Sequence, residues 1–323
     1  MQKDEDFWFE DGNIVIIAQD IGFRLHKSIL SSVSPVFRDL FSVPQPEDAE
    51  TMDGCQIVRV SDSASDLRHF LRLVIRPIFD FLDSRYRPSF RMLAAICRVG
   101  LKYQANAAVE AAAQRIEGFF RGWPHTVQVL GKRQLTIPAL HWEAFWSMHQ
   151  VTQRTSATIE DAIEAVNIAR LLGRSDILPF ALFLCCAGDA LHLRDGVPRE
   201  DGTVERLSNE DYLKCFKAIP QLLSTCSTDI RSLPAHWKES GSSPECSRPG
   251  ACVDVFRMMH AEDATEHYVP VVTDLFTSVR VRKVKLAVYV QYSDRLCVNC
   301  TSNLKGLCCC IEREDYLKRV FDL

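Results

Sequence analysis

The chain has 323 residues, 47% of them hydrophobic and 25% charged, which supports folded domains with sizeable cores and excludes a long disordered or fibrous chain. A net charge of −4 excludes a general attraction to phosphate backbones or anionic membranes, so neither nucleic acid nor a membrane surface is an expected partner. The polar, acidic start Met1–Asp6 shows no secretory signal. The most apolar stretch, Ile177–Gly188, contains Pro179 and falls short of the ~20 residues needed to cross a bilayer, so it reads as a buried helix. Thirteen cysteines, an odd number without an export signal, point to reduced thiols inside the cell, in cytoplasm or nucleus.

In chain order, Asn13–Ala18 is a β-branched run followed by the turn Gln19-Asp20 and a second apolar piece, Ile21–Leu25, which together predict a hairpin. Leu30, Val33, Phe37, Leu40 and Phe41 then fall at helical intervals, interrupted by Ser34-Pro35. Serine suits a helix N-cap and proline the first helical position, so two short helices in tandem are expected. The polar segment 42–55 leads to a strand candidate at Gln56–Val60. Leu67, Phe70, Leu71, Val74 and Ile75 share one face of an amphipathic helix, with Ser63 and Asp66 as a capping pair. Helices follow over Ser89–Val99 and Lys102–Phe120. Few strands, many helices and no βαβ alternation predict an α+β unit with a small sheet.

Beyond Trp123 the pattern is mainly helical. Thr158 precedes a stripe of Ala162, Val166, Ala169 and Leu172 that Gly173 stops, and Ser175–Leu193 and Ser208–Ile230 read as further helices. Ser232–Ala251 shifts to serine, proline and glycine and is expected to be a linker or long loop. Cys252–His267 reads as helix. Val269–Arg295 does too, although its VRVRKVKLAVYV portion also alternates as a strand would.

With this order in place, Asp11–Phe41 resembles the opening of the BTB/POZ family. The residues that carry the resemblance are Asp11, Ile14-Val15-Ile16, Phe23, Leu25, His26-Lys27, Ile29-Leu30, Ser34, Phe37 and Leu40-Phe41. Ile57–Val60 followed by Asp62 is similar to the family's third strand, Leu67–Ile75 to its next helix, and Lys102-Tyr103 to its Lys-Tyr motif. The helical remainder, Ala162–Cys186 above all, resembles the tails of BTB proteins numerous in fungi. The resemblance implies a BTB/POZ-like interaction domain over residues 7–122, then a helical region over 123–231 and a Cys-rich tail over 232–323. It also implies a non-catalytic adaptor that self-associates or pairs with another BTB protein, with Asp11, Phe23, His26, Lys27, Leu30, Ser34, Phe37 and Phe41 as its motif residues.

Two departures narrow those uses. Only a short stretch precedes the first expected strand, so the N-terminal helix and strand that many members exchange across a dimer are expected to be absent. Gln45 stands where members that dock on a cullin scaffold carry an apolar anchor, which leaves the role of ubiquitin-ligase substrate adaptor as an alternative.

No Walker loop, GxGxxG, HExxH or Ser-His-Asp set appears, so no catalytic residue is assigned. His26 reads as a residue that satisfies local backbone groups at a helix start, and His141 and His149, beside Trp142, Phe145 and Trp146, read as packing, as do His260 and His267. The cysteine tail is different. Cys297-Val-Asn-Cys300 has zinc-knuckle spacing, and with Cys246 and Cys252 it can supply four thiolates to a structural zinc, Cys308, Cys309 or His260 being replacement ligands. The alternative is that these thiols are buried small hydrophobes. Cys308-Cys309-Cys310 alone has no four-ligand spacing. Arg280, Arg282, Lys283 and Lys285 read as the solvated side of an amphipathic element; a zinc-containing nucleic-acid regulator is the competing reading.

Overall fold

A computed structural model describes residues 1–44, 50–75, 88–121, 157–240, 245–265, 295–300 and 314–323. The chain divides into two compact units. The first comprises Met1–Phe119, Gln153–Arg174 and Val197–Arg206; the second comprises Phe120–Thr152, Ser175–Gly196 and Leu207–Leu323. An α+β unit is therefore followed by mainly helical structure, as the sequence pattern leads one to expect.

The first unit is built on a five-stranded sheet of order β1-β3-β2-β5-β4, formed by β1 (Gln2–Trp8), β2 (Ile14–Ala18), β3 (Ile21–Leu25), β4 (Thr51–Met52) and β5 (Cys55–Val60). All five residues of β2 are buried because both faces of this central strand are covered. Ile14, Ile16 and Ala18 join Phe7, Phe23, Leu30, Phe37, Leu67 and Phe70 in the main core. Val15 and Ile17 face Cys55, Trp8 and Ile57 on the other side. The predicted hairpin forms, with Ile14 opposite Leu25 and Ala18 opposite Ile21 across the turn at Gln19.

β1 corrects the expectation that no strand precedes Asn13. Its polar residues hide an edge strand that pairs parallel to β3, Gln2 with Ile21 and Lys3 with Gly22. What holds it is tertiary. Phe7 is fully buried, and the buried Asp4 accepts the amides of Asp6 and Phe7, each at 3.0 Å. Asp4 and Asp6 also pair with Arg68 and Arg72 at 2.8 and 3.0 Å. Gly22 admits this close approach, since a Cβ there would lie 2.6 Å from the Met1 sulfur.

Helices α1 (Lys27–Val33), α2 (Pro35–Ser42), α3 (Ala64–Ile75), α4 (Phe90–Lys102) and α5 (Asn106–Arg121) complete this part of the unit. α3 begins where the amide of Asp66 donates to the Ser63 hydroxyl at 3.1 Å, as the capping pair predicts. α4 ends at Tyr103, and Gln104 takes a left-handed backbone (φ 55°) before α5, so Lys102 closes one helix rather than opening the next. Helix α6 (Ala162–Leu172), stopped by Gly173 at φ 66°, and the short hairpin β6 (Val197–Pro198) and β7 (Val204–Glu205) belong to the same unit.

In the second unit, α7 (Leu178–Ala187) is apolar on every side and wholly buried, in keeping with the reading of Ile177–Gly188. It packs against α9 (Asn209–Ser240) and α11 (Glu314–Phe321); α8 (Ala190–Asp195) and α10 (Pro249–Thr265) complete the described elements. The expected linker over Ser232–Ala251 is corrected in part, since α9 runs through Pro234 to Ser240. Pro234 removes one helical amide hydrogen bond, a local cost that kinks a helix without having to end it. Among the described residues no helix is long and apolar enough to cross a membrane.

Candidate interaction surface and four-cysteine cluster

The motif residues at the start of the chain have distinct structural tasks. Phe23, Leu30 and Phe37 are fully buried in the main core. Ser34 sits at the joint of α1 and α2, where its hydroxyl accepts the Phe37 amide at 3.1 Å and donates to the Tyr103 carbonyl at 2.5 Å. Phe37 stacks on Tyr103 and Phe41 at ring distances of 4.3 and 5.8 Å. Asp62 gathers the Lys-Tyr motif, accepting from Lys102 Nζ at 2.7 Å and from the Tyr103 hydroxyl at 2.6 Å. Burial and then Asp62 hold the Tyr103 phenol in its protonated form, with its pKa raised.

His26 corrects the expectation that it satisfies local backbone groups. It makes no capping bond; its Nε2 lies 3.4 Å from Asp11 and its ring packs on Phe9 at 5.6 Å. The helix start is served from across the chain instead, because Lys27 N donates to Asn13 Oδ1 at 2.8 Å. Lys27 Nζ reaches Gln56 at 3.2 Å. The outward side of this region is mainly polar, with Ser28, Ser32, Arg38, Asp39 and Ser42 exposed; Leu40 and Phe41 pack against the core, Ile29 and Val33 are half-buried, and Val43 is exposed.

Sequence reasoning missed a charged network in the same unit. Asp66 of α3 accepts from Arg98 of α4 at 3.0 Å and from Arg199 of the β6–β7 hairpin at 2.8 Å. Arg98 also donates to Glu164 of α6, and Arg91 donates to Asp161 at 3.2 Å. Burial acts against the charged form of Asp66, yet the two guanidiniums bring its pKa below the usual value. At Glu164 burial prevails and pushes the carboxyl up to about 7. Single charged residues many positions apart leave no pattern in a sequence, so no local signal marks these partners.

The second unit brings Cys246, Cys252, Cys297 and Cys300 together, their sulfurs all within 4.8 Å of one another. Cys246 and Cys297 are 3.7 Å apart. Cys246 precedes α10, Cys252 lies in its first turn, and the CxxC pair sits on the 295–300 segment. Asn299 ties the two stretches by donating to the Glu245 carbonyl at 2.6 Å. Backbone amides point at the sulfurs, Cys297 N to Cys252 at 3.3 Å and Cys300 N to Cys297 at 3.5 Å. The Cys300 amide, with Ser247, pulls the Cys297 thiol down to about 5, whereas burial pushes Cys252 up. Four thiols so disposed can hold a metal ion.

The remaining candidates read from the sequence have no described environment: Gln45, His141, His149, His267, Arg280, Arg282, Lys283, Lys285 and Cys308–Cys310 lie outside the described residues, and the His260 side chain is not described. No curated protein matches the chain. Residues 9–116 match the BTB/POZ domain, so this chain carries one, a member of a family of non-catalytic protein-interaction modules that mediate self-association and pairing with other proteins.

Proposed function

We propose that the chain is a non-catalytic adaptor whose BTB/POZ domain joins it to a second copy or to another BTB protein. The observation behind this reading is the BTB/POZ match over residues 9–116, and the α1–α2 pair is the surface it directs attention to. Ile29 and Val33 of α1 stay half-buried beside a completed core, and Val43 is 58% exposed. On this mainly polar surface these three are the apolar side chains that a partner can cover.

In the same reading the protein works in a reducing intracellular compartment, supported by the nine free cysteines among the described residues. Its kinship with fungal BTB proteins rests on the sequence of Ala162–Cys186. The cullin-adaptor alternative turns on Gln45 and the nucleic-acid alternative on Arg280, Arg282 and Lys285, which lie outside the described residues.

Light scattering on the full chain during gel filtration tests the proposal. A mass of two or more copies, reduced to one copy by Ile29→Asp with Val33→Asp, is the expected result. A strictly monomeric chain at high concentration that also fails to pair with other BTB proteins overturns it.

A further inference from the structure

We propose that Cys246, Cys252, Cys297 and Cys300 bind one zinc ion as a closed structural centre, and that Cys246 is the ligand at which this centre opens.

Geometry supplies the first argument. A tetrahedral ion with zinc–sulfur bonds of about 2.3 Å holds its sulfurs about 3.8 Å apart. The Cys246–Cys297 separation is 3.7 Å, and all four sulfurs fit within 4.8 Å of one another. Sulfur-only coordination selects zinc over magnesium, calcium or manganese, which prefer oxygen.

Hydrogen-bond direction supplies the second. Among the described residues outside the cluster, three cysteines have a sulfur that approaches a backbone carbonyl. Cys55 approaches Gly12 O at 3.1 Å, Cys186 approaches Cys215 O at 3.7 Å, and Cys215 approaches Leu182 O at 3.9 Å. In the four-cysteine cluster the polarity reverses. Amides of Cys297 and Cys300 donate to sulfur, the arrangement that stabilises thiolates gathered around a cation. Mere packing of small hydrophobes requires neither the convergence nor the donors.

Cys252, Cys297 and Cys300 are buried, whereas Cys246 is half-exposed on the short stretch before α10. Four protein ligands leave no open position for a substrate, so the centre clasps two distant stretches of chain and performs no chemistry. Solvent, chelators and electrophiles meet Cys246 first.

Elemental analysis of the full chain, purified under reducing conditions and dialysed with zinc, is expected to find one zinc per chain. Cys252→Ser, Cys297→Ser and Cys300→Ser should each lose it, and Cys97→Ser should keep it. Because a serine variant can misfold, the wild-type chain provides an independent measurement. Timed alkylation read by mass spectrometry should show zinc protecting these four cysteines, with Cys246 the first to be modified when a chelator is added. Cobalt in place of zinc should give the intense visible absorption of a tetrahedral thiolate site. Absence of metal uptake by folded protein, iron in place of zinc, zinc retained in the three variants, or protection falling on other cysteines overturns the centre. Alkylation of Cys252, Cys297 or Cys300 ahead of Cys246 overturns the opening ligand.

Discussion

The Ser34 hydroxyl donates to the backbone carbonyl of Tyr103 at 2.5 Å, across 69 positions of sequence. The same oxygen accepts the Phe37 amide and so starts α2, which couples the joint of the two first helices to the end of α4. Replacing Ser34 by alanine removes the cap and leaves a buried carbonyl without this donor. A loss of about 1–3 kcal/mol is expected, measured as a lower urea midpoint with unchanged slope. Ser34→Ala with wild-type stability would contradict this role.

Asp66 is the common acceptor of Arg98 and Arg199, both mostly covered. Asp66→Ala takes the shared acceptor from two largely buried guanidiniums, leaving Arg98 with Glu164 and Arg199 with Asp201 and Glu205, and is expected to cost about 1–3 kcal/mol. Hydrogen exchange should then rise in the β6–β7 hairpin and at the start of α6 before it rises in β2. Uniform protection in the variant would show that the network does not hold these elements.

Glu164 makes stability depend on pH. Burial lifts its folded pKa from an ordinary value of 4.5 to about 7, so the folded chain binds the proton more tightly than the unfolded one. Its contribution is fully present below the unfolded value and is lost as pH rises through about 7. Asp66, with a lowered pKa, acts in the opposite sense: its contribution is present above the ordinary carboxylate range and is lost as pH falls through its folded value. Denaturation midpoints at about pH 5 and about pH 8 should differ less in Glu164→Gln than in the wild type. An unchanged difference would remove Glu164 as the source.

Gly100 allows α4 and α5 to approach closely. A Cβ at this position would stand 2.7 Å from Val109 Cγ2. Gly100→Ala is expected to cost roughly 1–3 kcal/mol, with part of that loss restored when Val109→Ala is added. Strictly additive losses, measured by thermal denaturation of the two single variants and the double variant, would show that the contact does not set the spacing.

How much of the molecule is legible without coordinates depends on the range of each interaction. The β2–β3 hairpin, the break at Ser34-Pro35, the apolar face Leu67–Ile75 and the stop at Gly173 are written locally, because helical and strand periodicities and caps involve near neighbours. The CxxC spacing of Cys297 and Cys300 belongs to the same class. Tertiary structure decided what distant partners decide. Seven residues that look like a solvated start become β1 through Phe7, Arg68 and Arg72. His26 lies against Asp11, and Asn13, from before β2, takes the Lys27 amide. Asp66 finds an arginine 133 positions away, and Cys246 meets Cys297 across 51. Composition and periodicity carry the hydrophobic cost of exposing a face, which is local, whereas the pairing of buried charges and sulfurs exists only after the chain has folded.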